Sequence, residues 1–333
     1  MHYRALGKSG LKVSPLALGT MMFGGATAEV DARRIIHQAW DLGVNFIDTA
    51  DVYNAGLSEQ ITGRAITANR ADWVLASKVG SPRPSSHEAL QGLNRKYIFN
   101  SLEDSLTRLG TDYLDLYYLH REDHSTPLEE TVSTIGDLLR QGKIRYWGLS
   151  NFRGWRIAEA VNIARRMGID DPIASQPLYN IVNRQVETEQ LTAARYYGIG
   201  VVPYSPLARG VLTGKYEPGA APLADSRAAR QDKRIQETEW RPESLALAQQ
   251  VAEYARGRGT DPVTFAIAWV LANPVVSAAI VGPRTLAQWQ AYIPALQFQV
   301  TADDEAFIDG LVTPGHASTH GFNDPAHFVS GRR

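Results

Sequence analysis

The sequence predicts an α/β protein, a (β/α)8 TIM barrel, from one pattern that recurs along its 333 residues. A short apolar run ends at a polar or glycine-rich break, and a longer segment with helical periodicity follows. Strands that alternate with helices pair in parallel through right-handed crossovers, and eight such units close most naturally into a barrel. The rival doubly wound sheet carries a G-x-G-x-x-G motif after its first strand, and LGTMMFGG does not match it.

Each predicted element follows from this pattern in chain order. Residues 2–14 alternate around a Lys8-Ser9-Gly10 turn and predict an N-terminal β-hairpin. The predicted barrel strands are 16–20, 45–50, 73–78, 113–120, 146–151, 173–177, 200–205 and 278–282. The predicted helices are 29–42, 58–69, 96–110, 127–141, 154–168, 186–198 and 261–272, with 284–292 as a short last one. Glycines such as Gly43 and Gly110 fall where helices should stop.

Two segments depart from the repeat. Residues 216–242 are long, charged and Pro/Ala-rich, and they follow the seventh strand, where a barrel keeps its active-face loops. A long loop in that place is often functional. Residues 313–333, rich in Gly, Pro and His, predict a C-terminal tail. Length alone allows two domains, but barrels of this size often form one unit, so residues 1–333 are predicted to be a single domain.

Composition limits the class of protein. The chain is 44% hydrophobic and 21% charged with a net charge of −1, which gives no electrostatic footprint for nucleic acid or an anionic membrane. The lack of cysteine excludes disulfides, thiolate nucleophiles and cysteine metal sites, and it fits an intracellular protein. Neither an N-terminal apolar h-region nor an apolar run of membrane-spanning length is found. A soluble, cytoplasmic protein is expected.

Polar residues stand at the ends of consecutive predicted strands, where a barrel collects its chemistry. Asp48, Lys78 and His120 follow the second, third and fourth strands, and Tyr53 lies in the loop beyond the second. The next two strands end in Ser150, Asn151 and Gln176. Each residue alone has an ordinary interpretation as a turn or cap, a solvated lysine, a core histidine or a half-buried tyrosine. Four of them at matching positions of consecutive units favour a site.

These four residues can together protonate a carbonyl oxygen. A free tyrosine, with a pKa near ~10, is a poor proton donor at neutral pH. The Lys78 ammonium would favour the phenolate of Tyr53 and lower that pKa, while the Asp48 carboxylate would keep the lysine charged and in place. A neutral His120 can donate a hydrogen bond to the substrate oxygen. Pairing with Lys78 also explains why a charged Asp48 can end a buried strand.

Seven stretches carry a specific resemblance to the aldo-keto reductases over nearly the whole chain. They are LGTMMFG, FIDTADVYNAGLSEQITGRA, LASKVG, SLEDSLTRLGTDYLDLYYLHRED, GKIRYWGLSNF, QPLYN and VPYSPLARGVLTGKY. The chain is most similar to the bacterial branch that also resembles potassium-channel β subunits. The resemblance implies a barrel that binds NAD(P)H across its open face, with Tyr53 as general acid. It further implies that Lys78 and Asp48 tune this acid and that His120 orients the carbonyl.

The resemblance also implies contacts to the cofactor. The residues are Thr20, Met21 and Asp48 near the nicotinamide and its ribose; Ser150, Asn151 and Gln176 on the carboxamide; Tyr204 stacked on the ring; Ser205, Leu207, Arg209 and Lys215 around the pyrophosphate; and Gly282, Arg284 and Gln288 beyond the eighth strand. The family usually places an acidic residue and an asparagine on the adenine. Ala291 and Tyr292 stand there, so we expect the adenine to be held differently, by stacking on Tyr292.

Arg284 favours NADPH over NADH. The resemblance implies that the segment after the eighth strand reaches the 2′-phosphate. Arg284 lies there, just past Gly282, where a short helix should begin, so its guanidinium and the helix N-terminus can both bind that phosphate. Ala291 supplies no carboxylate for the ribose hydroxyls of NADH. NADP is therefore the expected cofactor, with NAD as the alternative.

The substrate, the direction of the reaction and the oligomeric state stay open. A small-molecule carbonyl or alcohol is the expected partner, without nucleic acid or membrane, and a homo-oligomer is left open. The same residues would oxidise alcohols, so a sugar or pyridoxal-type dehydrogenase is an alternative. A nucleotide-sensing regulatory subunit with slow turnover is the alternative of another class. A metal-dependent barrel hydrolase is disfavoured because the eight histidines include no H-x-H pair.

Overall fold

The computed structural model of the protein describes residues 1–82, 91–224 and 226–326. The chain divides into two compact units, and each is described by itself. The first unit contains Met1–Pro177, Glu189–Tyr204 and Pro274–Gln290, and the second contains Leu178–Thr188, Ser205–Asn273 and Ala291–Arg333. The expectation of a single domain over residues 1–333 stays a prediction.

The first unit contains the predicted barrel and its N-terminal hairpin. β1 (Arg4–Ala5) and β2 (Lys12–Val13) form the antiparallel hairpin. The barrel strands are β3 (Leu16–Gly19), β4 (Phe46–Asp48), β5 (Val74–Val79), β6 (Leu114–Leu119), β7 (Ile144–Ser150), β8 (Ala174–Gln176), β9 (Gly200–Val201) and β10 (Ala279–Val281). They are parallel, and each strand from β3 to β8 pairs with the next in chain order. β10 pairs with β3, and parallel bridges of Val201 with Val276 and of Tyr204 with Ile280 join the chain at β9 to β10. The sheet therefore closes, and the predicted (β/α)8 fold is confirmed.

Alternate residues of β5 and β6, with residues of other strands and of the hairpin, belong to one apolar core of the barrel. This cluster is formed by Leu6, Val13, Ala17, Phe46, Val74, Ala76, Leu116, Tyr118, Ala174, Val202, Ala278 and Ile280. Because side chains along a strand alternate between its two faces, the residue two positions later continues the same inward row. The residues at the carboxyl ends of these inward rows therefore line the open end of the barrel.

The helices match the predicted segments in most of the chain. They are α1 (Glu29–Asp41), α2 (Leu57–Ile66), α3 (Arg95–Leu109), α4 (Leu128–Arg140), α5 (Gly154–Arg166), α6 (Gln190–Tyr197), α7 (Lys233–Thr238), α8 (Pro242–Gly257), α9 (Pro262–Ala272), α10 (Leu286–Tyr292) and α11 (Ala302–Leu311). In the first unit, consecutive helices from α1 to α6 contact one another. Local chemistry sets their ends: Asn94 caps α3 by accepting a hydrogen bond from the Tyr97 backbone, and Gly110 ends it with φ 63°.

Three helices of the second unit were not predicted from the sequence. α7 forms within the predicted loop 216–242, because the Asp232 side chain accepts a hydrogen bond from the Ile235 backbone at 3.1 Å and caps it. α8 begins with Pro242 in its first turn and buries Leu245, Ala248, Val251, Ala252 and Ala255 on one face. α11 begins with a capping box.

Of the predicted tail, residues 327–333 lie outside the described residues. No helix in the described part of the chain is long and apolar enough to cross a membrane.

Candidate active site

Polar residues continue the inward rows of the barrel core at the carboxyl ends of its strands. Two residues after the core positions Phe46, Ala76, Tyr118 and Ala174 come Asp48, Lys78, His120 and Gln176. The strand register brings them together, since Asp48 pairs with Ala76 and Lys78 pairs with Tyr118 across neighbouring strands. The interior of the barrel is therefore apolar in the middle and polar at the end where barrel chemistry collects.

Lys78 is wholly buried, with 0% of its surface exposed, and a carboxylate holds its charge. Its Nζ donates to Asp48 Oδ1 and, at 2.7 Å, to the carbonyl oxygen of Thr49. Burial lowers the pKa of Lys78, but the Asp48 carboxylate and the Tyr53 phenol outweigh burial, so the pKa lies above its ordinary value. The lysine is an ammonium ion in spite of its apolar surroundings.

Tyr53 opens a turn of 3₁₀ helix, Tyr53–Gly56, just beyond β4. Lys78 Nζ donates to the Tyr53 hydroxyl oxygen at 3.4 Å and lies 5.0 Å from the centroid of its ring. The ring also meets His120 edge to face, with the two centroids 6.0 Å apart. Tyr53 is half-buried, whereas Asp48 and Lys78 are buried. The phenol is thus the most accessible group in the chain of contacts from Asp48 through Lys78.

His120 is fixed through its backbone and kept neutral by its surroundings. Its N–H donates to the carbonyl of Val79 at 2.7 Å, and its carbonyl accepts from Asn151 Nδ2 at 2.9 Å. Burial, followed by the charges of Lys78 and Arg121, lowers the pKa of His120 well below its ordinary value. A neutral imidazole keeps one N–H donor and one acceptor nitrogen. His120 can therefore donate a hydrogen bond without adding a charge.

Amide and hydroxyl groups at the ends of β7 and β8 surround the other side of Asp48. Gln176 Nε2 donates to Asp48 Oδ2 at 2.9 Å, so both oxygens of the carboxylate are engaged. Ser150 Oγ donates to the carbonyl of Gln176 at 2.9 Å. Asn151 Nδ2 donates to Ser150 Oγ at 3.1 Å, and the Tyr204 hydroxyl donates to Asn151 Oδ1 at 2.9 Å. One continuous network therefore joins Tyr204 to Asp48.

Five further predicted cofactor residues also lie in the first unit. Thr20 is wholly buried, and its N–H and Oγ1 both donate to the carbonyl at the end of β4. Met21 is 38% exposed, and Gly282 is exposed as well. The backbone N–H of Arg284 donates to Gln288 Oε1 at 2.8 Å, just before α10. Arg284 and Gln288 thus form a pair of their own, and the side chain of Arg284 is half-buried.

The predicted pyrophosphate residues lie in the second unit. They are Ser205, Leu207, Arg209 and Lys215, on the chain around the 3₁₀ helix Ala208–Thr213. Arg209 has φ 54° and donates through Nε to Thr238 Oγ1 at 3.2 Å, while Lys215 is exposed. At the predicted adenine positions, Ala291 is exposed and Tyr292 is buried. Stacking of the adenine on Tyr292 stays a prediction.

The pairing of a buried lysine and aspartate with a tyrosine and a histidine on this barrel agrees with a comparison with known families. The model of the aldo/keto reductase family matches residues 15–313. The chain belongs to this family. Membership implies NAD(P)H-dependent oxidoreduction of carbonyl compounds.

Relatives of this aldo/keto reductase cover nearly its whole length. A protein named probable voltage-gated potassium channel subunit beta from Arabidopsis thaliana is 40% identical over 304 residues, which are 89% of this chain and 91% of that protein. Uncharacterized oxidoreductase YrpG from Bacillus subtilis (strain 168) is 38% identical over 310 residues, 90% of this chain and 92% of that protein. A putative voltage-gated potassium channel subunit beta from Schizosaccharomyces pombe is 36% identical over 305 residues, 89% and 88% of the two chains. The predicted resemblance is confirmed.

The polar groups of this aldo/keto reductase fit the carboxamide of a nicotinamide. A primary amide needs acceptors for its two N–H groups and a donor for its carbonyl. Ser150, Asn151 and Gln176 carry amide and hydroxyl groups of both kinds, several of which are hydrogen-bonded within the site: Asn151 Nδ2 to His120 and Ser150, the Ser150 hydroxyl to the Gln176 carbonyl, and one N–H of Gln176 to Asp48. For metals the result differs. Across residues 1–82, 91–224 and 226–326, no group of three or more His, Asp or Glu side chains could hold a metal ion.

Sequence reasoning missed residues that support the site from behind. Ser58 Oγ donates to the carbonyl of Thr20 at 2.8 Å and lies 3.2 Å from Thr49 Oγ1, so the first turn of α2 is tied to the ends of β3 and β4. Tyr118 is buried under the site, and burial and the nearby Asp48 charge raise its pKa well above its ordinary value. Gly148 leaves room for that ring, because an added Cβ would lie 2.6 Å from Tyr118 Cε1. The alternation of side chains along β6 and β7 was the sequence signal that could have identified Tyr118 and Gly148.

Proposed function

We propose that this aldo/keto reductase reduces aldehydes or ketones to alcohols with NADPH, and that Tyr53 is its general acid. The observation that carries the proposal is the buried Lys78 ammonium, which is bonded to Asp48 and lies 3.4 Å from the Tyr53 hydroxyl. A cation beside a phenol stabilises the phenolate, so the phenol gives up its proton more readily. Such a proton donor suits a reaction in which negative charge develops on an oxygen.

The proton moves from Tyr53 to the substrate oxygen. The O–H bond of the phenol breaks, the O–H bond of the product alcohol forms, and the phenolate that remains faces Lys78. A bound nicotinamide supplies the hydride for the carbonyl carbon. Neutral His120 donates a hydrogen bond to the same substrate oxygen and thereby orients the carbonyl. By microscopic reversibility the same groups serve the oxidation of an alcohol, including a sugar or a pyridoxal-type alcohol.

The amide network would hold the nicotinamide and connect it to the acid. Ser150, Asn151 and Gln176 would bind the carboxamide, and the ring of Tyr204 would stack on the nicotinamide. Because Gln176 also bonds Asp48 Oδ2 at 2.9 Å, one side chain would contact both the cofactor and the carboxylate that holds Lys78. Arg209 and Lys215, the cations among the predicted pyrophosphate residues, stay the proposed contacts of that group.

NADPH is the proposed cofactor because of Arg284. The 2′-phosphate is an anion that needs charged donors, and a guanidinium can offer two parallel N–H groups to it. The Arg284 backbone is fixed by Gln288 through its N–H, at 2.8 Å, and by Thr27 through its carbonyl, at 3.0 Å. A half-buried arginine on a fixed backbone suits recognition of one phosphate.

The test is a turnover assay with both cofactors in both directions. Purified protein is mixed with NADPH or NADH and a panel of aldehydes, ketones and aldoses, and the loss of nicotinamide absorbance is followed. The reverse assay uses alcohols with NADP⁺ or NAD⁺. We expect reduction with NADPH at a higher kcat/KM than with NADH. Absence of turnover with every carbonyl, or a clear preference for NADH, would contradict the proposal.

A nucleotide-binding regulatory subunit is the second candidate function. It is favoured by the 40% identity to the Arabidopsis protein named as a potassium channel subunit. The two candidates differ in rate rather than in cofactor binding. Tight binding of NADPH with a kcat far below that of ordinary enzymes, roughly 1–10³ s⁻¹, would favour the regulatory subunit. Turnover within that range would favour the reductase.

A further inference from the structure

The first turn of α2 contains a buried carboxylate that the proposed reaction does not use. Glu59 is wholly buried. Its Oε1 accepts a hydrogen bond from Ser77 Oγ at 2.6 Å, and its Oε2 accepts one from Arg108 Nε at 2.6 Å. Arg108 also donates to Ser105 Oγ at 3.1 Å. A buried charge is costly unless it is paired and hydrogen-bonded, so a charged side chain in this place must be held by its partners.

One partner of this carboxylate lies on the strand of Lys78, and the other lies in α3 and packs against the turn of Tyr53. Ser77 immediately precedes Lys78 in β5. Arg108 packs against Gly56, the last residue of the turn that starts with Tyr53, and an added Cβ on Gly56 would lie 2.6 Å from Arg108 Cδ. One buried ion pair therefore contacts the strand of the ammonium and the turn of the phenol.

The turn after Tyr53 has a backbone that needs anchors. Asn54, Ala55 and Gly56 have φ values of 48°, 55° and 89°, so three consecutive residues are left-handed and two of them are not glycine. Residues with a side chain avoid this region, and such strain persists only where the surroundings hold it. Asn54 Nδ2 anchors one side by donating to the carbonyls of Met21 at 2.9 Å and Phe23 at 2.7 Å. Arg108 of the Glu59–Arg108 pair packs against Gly56, the last residue of the turn.

We propose that Glu59 is a positioning residue that sets the distance between the Tyr53 hydroxyl and the Lys78 ammonium. Through Ser77 it fixes β5 beside Lys78, and through Arg108 it fixes the end of the Tyr53 turn. The inference rests on the proposed function, since this distance affects turnover only if Tyr53 transfers the proton. Misplacement of a reacting group by about 1 Å can lower the rate about 10²-fold.

Glu59→Gln tests the proposal because it keeps the shape and removes the charge that faces Arg108. We expect kcat for carbonyl reduction to fall roughly 10- to 100-fold, while the Kd for NADPH stays unchanged. We also expect the pH profile of kcat to shift upward, because a phenol farther from Lys78 ionises at a higher pH. Lys78 and His120 contact Tyr53, Asp48 contacts Lys78, and the substitution alters none of these three residues. The shift of the pH profile therefore reports the distance between the Tyr53 hydroxyl and the Lys78 ammonium.

Asp304→Asn is the matched control. Asp304 is also wholly buried and pairs with Arg258, whose Nε lies 2.6 Å from Asp304 Oδ1, but it belongs to the second unit. It should lower stability without changing the kcat or the pH profile of the folded enzyme. Wild-type kcat and pH profile in Glu59→Gln would overturn the proposal. The same kcat loss and pH shift in Asp304→Asn would also overturn it, because both variants would then only loosen the fold.

Ser77→Ala provides a second variant if Glu59→Gln does not fold. It removes the tie between Glu59 and β5 and leaves the ion pair with Arg108 intact. We expect a smaller fall in kcat and a pH shift in the same direction, whereas an unchanged kcat and profile would overturn the proposal. Failure of the proposed function is distinguishable, because the wild-type protein itself would then show no carbonyl turnover.

Discussion

Each unit contains a buried carboxylate that pairs with a cation near a tyrosine, but the group that contacts the tyrosine differs: the carboxylate in one unit and the cation in the other. Asp304 accepts from Arg258 Nε at 2.6 Å and Nη2 at 3.0 Å, and the Tyr254 hydroxyl donates to it directly at 3.0 Å. It also completes the capping box with Thr301 at the start of α11. Burial, with the hydrogen bond and charge of Asp304, raises the pKa of Tyr254. This arrangement holds the phenol proton.

Asp48 uses the same kind of ion pair but turns its cation toward the phenol. Lys78 lies between Asp48 and Tyr53, and its Nζ donates to both. A cation stabilises a phenolate, whereas a carboxylate stabilises the protonated phenol. In the proposed reaction, a buried ion pair promotes proton release only when its positive partner contacts the tyrosine. The tyrosine must also be open to a substrate, and Tyr53 is half-buried rather than closed off.

Removing the Lys78 ammonium should have the largest effect on turnover and stability. Lys78→Met fills the same buried space without the ammonium, so Tyr53 loses the charge that is proposed to promote proton release. Asp48, 2% exposed, is left without its cation, and breaking a buried pair in this way costs about 3–5 kcal/mol of the free energy of unfolding. We expect near-complete loss of turnover together with a lower denaturation midpoint. An active Lys78→Met enzyme of wild-type stability would contradict this account.

Removing only the phenol hydroxyl should have the next largest effect. Tyr53→Phe keeps the packing of the ring and deletes the proton donor, and general acid catalysis typically contributes ~10²–10⁴ in rate. We expect kcat to fall by about that factor with NADPH binding unchanged. Tyr254→Phe is the matched control, since its hydroxyl contacts Asp304 instead of a cation, and it should keep wild-type kcat. Near-wild-type turnover in Tyr53→Phe, measured where chemistry limits the rate, would sink the assignment.

The ion pair of the site could be predicted from the sequence, and its other connections could not. Asp48 and Lys78 end neighbouring strands of a parallel barrel, so their approach follows from the strand pattern alone. The hydrogen bond from Gln176 to Asp48 depends on the strand register at β8 and on the orientation of the Gln176 amide. Neither can be inferred from a single sequence. The link from Glu59 to Ser77 joins a helix to a strand 18 residues away. Such a contact is set by packing rather than by periodicity.

The fold was predictable where apolar runs and breaks alternate, and less so where they do not. The eight strands and the helices between β3 and β9 follow that alternation. α8 was not predicted although Leu245, Ala248, Val251 and Ala252 repeat at helical spacing, because the eight strand–helix units of the predicted barrel do not include an additional helix. The short α7 depends on a single cap at Asp232 and has few residues to show a period. Propensity over six residues is a weak signal.

A third test compares Lys78 with Arg284, a cation that is proposed to bind the cofactor rather than a side chain. Lys78 serves a phenol of its own chain, whereas Arg284 is proposed to serve the 2′-phosphate of NADPH. Charge-assisted hydrogen bonds contribute about 1.5–3 kcal/mol each, so Arg284→Ala should raise the Kd for NADPH roughly 10- to 100-fold. The Kd for NADH, measured by the same titration, is the control and should barely change. Equal losses for both cofactors would contradict the role given to Arg284.

The smallest effect, and the sharpest contrast, should come from Asp304→Asn. Burial raises the pKa of Asp304, but Arg258 and the hydrogen bonds from Thr301 and Tyr254 outweigh burial and hold it well below its ordinary value. A group with a depressed pKa in the folded state stabilises the protein above its unfolded pKa, ~3.9 for Asp, and loses that contribution as pH falls. We therefore expect Asp304→Asn to lower the free energy of unfolding by about 1–3 kcal/mol at pH 7, with unchanged kcat. Urea denaturation from neutral pH downward should show the gap between variant and wild type narrowing below pH ~4. A difference in the free energy of unfolding that stays constant with pH would mean that the Asp304 charge does not stabilise the fold. The contrast between a stabilising ion pair at Asp304 and a catalytic one at Asp48 would then be wrong.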